Sequence, residues 1–337
     1  MRIGIAHGSR LAARALSAAL SEEAAHQLLW TVQDGSDTLR KIEQTTPDLL
    51  LLDIGIANPA CIEIVRQLKS EVQRKTEPAI LLVADRPEDQ MFRIYEAMGL
   101  GALDVVSCPT FNHAGQVRGQ QQLFAKLRTV GRLLGLAAVS RPLAPGLRET
   151  SPTGKLIAIG ASTGGPQAIF DILSALPPGL HASVVLVQHV ESEFSAGFAS
   201  WLQQGTKLRV VLAKAGMRPE LGTALLAASN DHLVMTGNRS FAYTSHPDVP
   251  YRPSVDALFR SLADHWSEPG TAVLLTGMGR DGAEGMKRLR QAGWNTIAQN
   301  EATSIVFGMP KAAIELGGAE HVLGLPDIAP AVIRMCR

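Results

Sequence analysis

The chain has 337 residues, 46% of them hydrophobic, and a formal net charge of +1. This is enough apolar material for two ordinary cores, which excludes a disordered class, and the near-zero charge offers no overall field for nucleic acid or an anionic membrane. Three scattered cysteines (Cys61, Cys108 and Cys336) lack a C-x-x-C. They suit a reducing compartment and argue against a disulfide framework or a zinc site. No apolar run is long enough to span a bilayer, and the opening MRIGIAHGSR lacks the apolar length and cleavage site of a secretory leader. The expectation is a cytoplasmic protein with no membrane insertion and no nucleic-acid partner.

In chain order, the strand candidates of the first part are RIGIA, LLWTV, DLLLLDI, AILLVA and LDVVS, with helical patterns such as LAARALSAALSEEA and EIVRQLKSEV between them. Short apolar runs alternating with amphipathic stretches predict βαβ units and a parallel sheet. Residues 1–125 therefore read as a five-stranded, flavodoxin-like α/β domain. Gln120 to Leu136 reads as a helix that closes it. A Pro-, Gly- and Ser-containing stretch follows, made basic by Arg128, Arg132, Arg141 and Arg148, and the linker is placed at 126–153. A solvated connector explains those arginines better than a binding patch does.

Residues 154–337 begin with KLIAIGAS and continue through the strand candidates VVLVQHV, LRVVLA, TAVLLTG and TIAQN. HLVMTGNRSFAYT reads as a β-hairpin around a Gly-Asn turn. SVDALFRSLADHW puts Val255, Leu258, Phe259, Leu262 and Trp266 on one helical face, with Ser254 as N-cap. The second part is expected to be a doubly wound, mostly parallel α/β domain carrying that hairpin.

The stretch IAIGASTGGPQAI, Ile157 to Ile169, runs from a strand into a helix through Gly, Ser and Thr. A phosphate cradle is one reading, since such a turn offers backbone N–H groups to an anion. A dinucleotide site would also show a carboxylate about 20 residues on, and a P-loop would show G-K-[ST]; neither is present. The other reading is a reactive hydroxyl, Ser162, which needs an imidazole to take its proton and a carboxylate to hold that imidazole. His189 ends VVLVQH, and Asp281 lies in the glycine-rich loop after AVLLTG. Parallel strands bring their carboxyl ends together, so separation in sequence is no obstacle. Each residue has a plainer role available: Ser162 as a helix cap, His189 as a buried histidine, Asp281 as a turn residue. The conjunction of all three at strand ends favours the triad. The remaining histidines, His7 and His232 among them, read as structural or surface residues.

The segments LIAIGASTGGP, LVQHV, YRPSVDALFRSLA, LLTGMGRDGAEGM and AQNEATSIVFGMPKAAIELG resemble successive signatures of the chemotaxis methylesterases, which join a receiver domain to a protein-glutamate methylesterase domain. MRIGI and the divergence of the first half look closer to the branch in surface-sensing, Wsp-type clusters. The resemblance implies Ser162 as nucleophile, His189 as base and Asp281 as its partner, with Thr163, Gly164 and Met278 around the oxyanion. It implies hydrolysis of glutamate methyl esters on the cytoplasmic domain of a chemoreceptor, with deamidation of glutamines as a side activity, a chemosensory histidine kinase as a further partner, and no metal or organic cofactor for the hydrolytic step. A scaffold or docking regulator with weak catalysis is the alternative. A DNA-binding output is unsupported, because no helix-turn-helix or basic recognition helix is visible.

A working receiver, by the same resemblance, needs an acidic pair for Mg²⁺, a phosphoacceptor aspartate, a hydroxyl residue and a lysine. LLLLDI supplies Asp53 as acceptor, but His7 and Gly8 stand at the acidic pair, Ala84 at the hydroxyl and Cys108 at the lysine, with Asp85 one residue beyond the switch position. Mg²⁺ binding and phosphorylation of Asp53 are therefore expected to be impaired. Cys108 reads as a small apolar filler rather than a redox sensor.

Overall fold

The apolar runs become strands because both faces of each are covered: Leu49 to Leu52 and Ile80 to Ala84 have no accessible surface. The structure, a computed structural model, describes residues 1–23, 25–70, 77–85, 90–112, 115–133, 155–249 and 251–336. The chain forms two compact units, Met1–Ala138 and Val139–Arg337.

The first unit contains β1 (Arg2–Ala6), α1 (Arg10–Ser21), β2 (Gln27–Val32), α2 (Gly35–Gln44), β3 (Leu49–Asp53), α3 (Cys61–Ser70), β4 (Ala79–Ala84), α4 (Met91–Gly99), β5 (Asp104–Ser107), the short pair β6 (Thr110–Phe111) and β7 (Val117–Arg118), and α5 (Gln120–Leu133). The order β2-β1-β3-β4-β5, parallel throughout, is the expected five-stranded sheet. One boundary needs correction. The helix α5 continues to Leu133, and its Leu127 and Val130 join Ile3, Leu16 and Leu49 in the core, so residues 126–133 belong to this unit and not to a linker. Arg128 is tied to Glu23 at 3.0 Å. The rest of the connector, with Arg141 and Arg148, lies outside the described residues.

The second unit contains β8 (Lys155–Ala161), α6 (Gly165–Ala175), β9 (Ala182–Gln188), α7 (Ser192–Gly205), β10 (Arg209–Leu212), β11 (Thr223–Leu226), β12 (His232–Met235), β13 (Phe241–Thr244), α8 (Val255–His265), β14 (Thr271–Leu274), α9 (Ala283–Gln291), β15 (Asn295–Gln299), α10 (Met309–Glu315), β16 (His321–Leu323) and α11 (Leu325–Met335). Its sheet runs β10-β11-β9-β8-β14-β15-β16 with every pairing parallel. Antiparallel pairing is confined to β12–β13, a separate two-stranded sheet. From β8 the chain first adds strands on one side and then, from β14, on the other. The carboxyl ends of β8 and β14 are thus a topological switch point, where open α/β sheets form their clefts.

The first residue of α8 packs directly on β8. A Cβ on Gly160 would lie 2.2 Å from Val255 Cγ1, and Val255 is fully buried. Gly160→Ala is expected to shift the start of α8 and to cost about 1–3 kcal/mol, read as a lowered urea midpoint with the fold retained.

Candidate active site

Ser162 follows β8 at the switch point. Its N–H donates to the Thr276 carbonyl at 3.0 Å, tying it to the end of β14. Its carbonyl accepts from Gly165 N–H at 2.7 Å and from Gln188 Nε2 at 2.9 Å. The backbone is therefore fixed while the hydroxyl is tied to none of the described residues. The capping alternative is not taken: Gly164, in the left-handed region at φ 77°, is the N-cap of α6 and provides no side-chain cap. The helix α6, with its positive N-terminal dipole end, begins three residues after Ser162.

His189 lies one strand over. The register Ala161↔Gln188 between β8 and β9, continued by one residue, sets it beside Ser162, and its N–H donates to the Ala161 carbonyl at 3.1 Å. Its Nε2 is 2.7 Å from Asp281 Oδ2, whereas its Nδ1 is buried without a hydrogen-bond partner. With Nε2–H donated to the carboxylate, Nδ1 carries the lone pair. The ring stacks on Tyr251 with centroids 4.9 Å apart and planes 2° from parallel.

Asp281 is fixed by the start of α8. Its Oδ1 accepts from Ser254 Oγ at 2.7 Å and Asp256 N–H at 3.0 Å, and its Oδ2 accepts from Val255 N–H at 2.6 Å. The two N–H groups are donors that a helix N-terminus leaves without intrahelical partners. Burial would raise the carboxyl, but the hydrogen bond and charge of His189, with the Ser254 and Asp256 donors, hold it at about 2. The neighbouring Asp256 goes the other way. Burial, reinforced by the charges of Asp281 and Glu284, pushes it up to about 6 against the Gly285 N–H and Arg260. Fully buried His232 supports Ser254 by accepting its N–H at Nδ1, 3.0 Å away, as a structural histidine does.

Around Ser162 the backbone is crowded on purpose-sized glycines. A Cβ on Gly277 would lie 2.8 Å from Ser162 Cβ and 2.3 Å from Met309 Sδ. The Gly277 carbonyl accepts from Gly308 and Met309, and Thr276 Oγ1 donates to Thr163 O at 2.9 Å. The expected oxyanion residues Thr163, Gly164 and Met278 surround this turn, and their backbone N–H groups meet no acceptor among the described residues. Tyr251, Ser254, Thr276 and Gln299 were given no part in this site by sequence. Gln299 Oε1 accepts Thr276 N–H at 2.8 Å. YRPS and TIAQN were visible as segments, but nothing in a linear pattern says where their side chains point. Tyr251→Ala is expected to lower kcat by about tenfold to a hundredfold with KM little changed, by freeing the His189 ring; Tyr251→Phe should retain most activity in the same assay.

In the first unit, Asp53 ends β3 and is almost buried. Its Oδ2 accepts Gly8 N–H at 3.1 Å and its Oδ1 accepts Gly55 N–H at 2.7 Å. His7, read from sequence as structural or surface, is buried 3.4 Å from Asp53 and 3.3 Å from Asp85. Cys108 is half-buried beside Asp85. Burial, followed by the Asp85 charge and hydrogen bond, pushes its thiol well up and keeps it neutral, and it packs against the core of the first sheet, as expected of a small filler.

An alcohol, an imidazole with one free nitrogen and a buried carboxylate, gathered where a parallel sheet reverses its winding, place the second unit among α/β proteins equipped for nucleophilic ester or amide hydrolysis. The chain belongs to the CheB methylesterase family, which matches residues 157–332. It is 41% identical over 338 residues to protein-glutamate methylesterase/protein-glutamine glutaminase 2 of Cupriavidus metallidurans, covering 100% of this chain and 98% of that one. It is 43% identical over 339 residues to the protein of the same name from Burkholderia orbicola, covering 100% of both. The crystal structure of the Thermotoga maritima CheB methylesterase catalytic domain is 34% identical with a TM-score of 0.52, covering 54% of this chain and 99% of that one.

Proposed function

We propose that the chain hydrolyses methyl esters of glutamate side chains on the cytoplasmic domain of a chemoreceptor, and amides of glutamine there, within a chemosensory pathway in the cytoplasm. The observation that carries this reading is the 2.7 Å His189–Asp281 pair, which leaves Nδ1 free on the strand next to Ser162. Ser162 Oγ attacks the ester carbonyl as His189 Nδ1 takes its proton, and Asp281 stabilises the resulting imidazolium through Nε2–H. The tetrahedral oxyanion is received by N–H groups at Thr163, Gly164 and Met278. Collapse expels methoxide, which leaves as methanol with the proton from His189. Water, deprotonated by the same nitrogen, then cleaves the glutamyl–Ser162 ester to the free acid. In deamidation ammonia leaves instead. The hydroxyl and Nδ1 are not hydrogen-bonded in the resting site, and such contacts often close only around substrate. No step here calls on a metal or organic cofactor. The test is methanol release from a methylated receptor fragment by the full-length chain; no release above the uncatalysed rate would favour the scaffold reading.

The first unit is proposed to be a receiver impaired in phosphorylation. Mg²⁺ prefers six oxygen ligands, and around Asp53 the places of the acidic pair hold His7 and Gly8. The oxygen set does not fit that ion, and no step is drawn through it. On incubation with a cognate phosphorylated histidine kinase, wild type is expected to take up no more label than Asp53→Asn. Clear labelling of wild type alone would contradict this.

A further inference from the structure

We propose that the carboxyl edge of the first sheet is a binding site for a Zn²⁺-class transition-metal ion, with His7, Asp85 and Cys108 as ligands. His7 follows β1, Asp85 follows β4 and Cys108 follows β5. One donor atom from each lies within 4.8 Å of the other two. His7 is 1% exposed, and its Nε2 has no hydrogen-bond partner although Asp85 Oδ1 is only 3.3 Å away. A buried imidazole nitrogen that faces a carboxylate without bonding to it incurs the cost of desolvation with no compensating bond. A cation between the two would remove that cost.

The spacing suits the ion. Tetrahedral zinc with bonds of about 2.0–2.1 Å to N and O has ligand–ligand edges of about 3.3 Å. The Nε2–Oδ1 pair is already at 3.3 Å, and the Cys108 sulfur lies within 4.8 Å of the His7 and Asp85 donors. The donor set also selects the metal. Imidazole, thiolate and one carboxylate form the mixed N, S and O environment that zinc or cobalt accepts and magnesium does not. The second shell is in place as well. Asp53 Oδ2 lies 3.4 Å from His7 Nδ1, the position of the carboxylate that backs metal-bound histidines. On binding, the ring proton moves from Nε2 to Nδ1 and turns to Asp53 in place of the Ser9 N–H that Nδ1 now accepts. The thiol releases its proton to solvent. The fourth position opens beside Asp85, whose side chain is 49% exposed, and takes water. The absence of a C-x-x-C hid this arrangement, because its ligands come from three strand ends far apart in the chain.

The test is a Co²⁺ titration of the tag-free, full-length, chelator-stripped protein. The expected result is saturable uptake of one ion per chain, with the strong visible bands of four-coordinate cobalt and a thiolate charge-transfer band, all bleached by Zn²⁺ and untouched by excess Mg²⁺. Cys108→Ser should lose the charge-transfer band, and both Cys108→Ser and Asp85→Asn should bind at least about tenfold more weakly, while Ser162→Ala binds as wild type. Asp85 is half-exposed and its substitution leaves the core intact, so its weakening reports ligation and not unfolding. Unsaturable uptake, a charge-transfer band that persists in Cys108→Ser, or displacement by Mg²⁺ would each overturn the proposal.

Discussion

Ser162→Ala is expected to reduce methanol release from a methylated receptor fragment by about 10⁴–10⁶-fold, with thermal and urea unfolding close to wild type. The separation of the two effects follows from the local structure. Everything that holds residue 162 in place is main chain: its N–H to Thr276 and its carbonyl to Gly165 and Gln188. The hydroxyl has no structural bond to lose, so its removal takes away only chemistry. A variant that folds and still turns over substrate within tenfold of wild type would remove Ser162 from the mechanism.

Asp281→Asn is expected to damage both catalysis and stability, with activity falling by about 10⁴-fold and folding weakened by about 2–4 kcal/mol. Four donors converge on this carboxylate: His189 Nε2, Ser254 Oγ and the Val255 and Asp256 N–H groups. An amide offers one acceptor oxygen and turns an NH₂ group toward donors. The His189 ring then loses the partner that keeps its proton on Nε2, and α8 loses its N-terminal anion. The pH dependence has a definite sign. A carboxyl held at about 2 in the fold against an ordinary value of 3.8 contributes stability above pH 3.8 that is lost as the pH falls through 2, about 2 kcal/mol in all. The gap in urea midpoint between wild type and Asp281→Asn should therefore narrow across that window. Asp256 acts oppositely. Its carboxyl, raised to about 6, withdraws stability as the pH climbs from 3.8 through 6.

Much of this site was legible in the chain because its three principal groups each follow an apolar run that could only be a buried strand. Ser162, His189 and Asp281 could be placed at strand ends, and parallel pairing then brings strand ends together. The part that was not legible depends on contacts between elements. Ser254 was readable as a helix cap, which it is, since its Oγ accepts Ala257 N–H at 3.2 Å; that the same oxygen also reaches Asp281 depends on how α8 lies against the loop after β14. Tyr251 stacking on His189 and Gln299 bracing Thr276 belong to the same kind. β11 and β16 escaped notice because TALL and HVL are too short to stand out from loop sequence, although both pair in the sheet. The closing helix was readable over Gln120 to Leu136, and α5 spans Gln120–Leu133; only the domain boundary set at 125 cut through it, because the basic composition there looked like a linker.

The central claim is that Ser162 is a nucleophile activated by His189. Its most direct measurement is labelling of the full-length chain with a serine-reactive phosphonate, followed by peptide mass spectrometry. The account predicts a single adduct on the peptide containing Ser162, formed rapidly in wild type and abolished or slowed by orders of magnitude in His189→Ala. An adduct on another serine, or labelling of Ser162 at an unchanged rate without the imidazole, would contradict it.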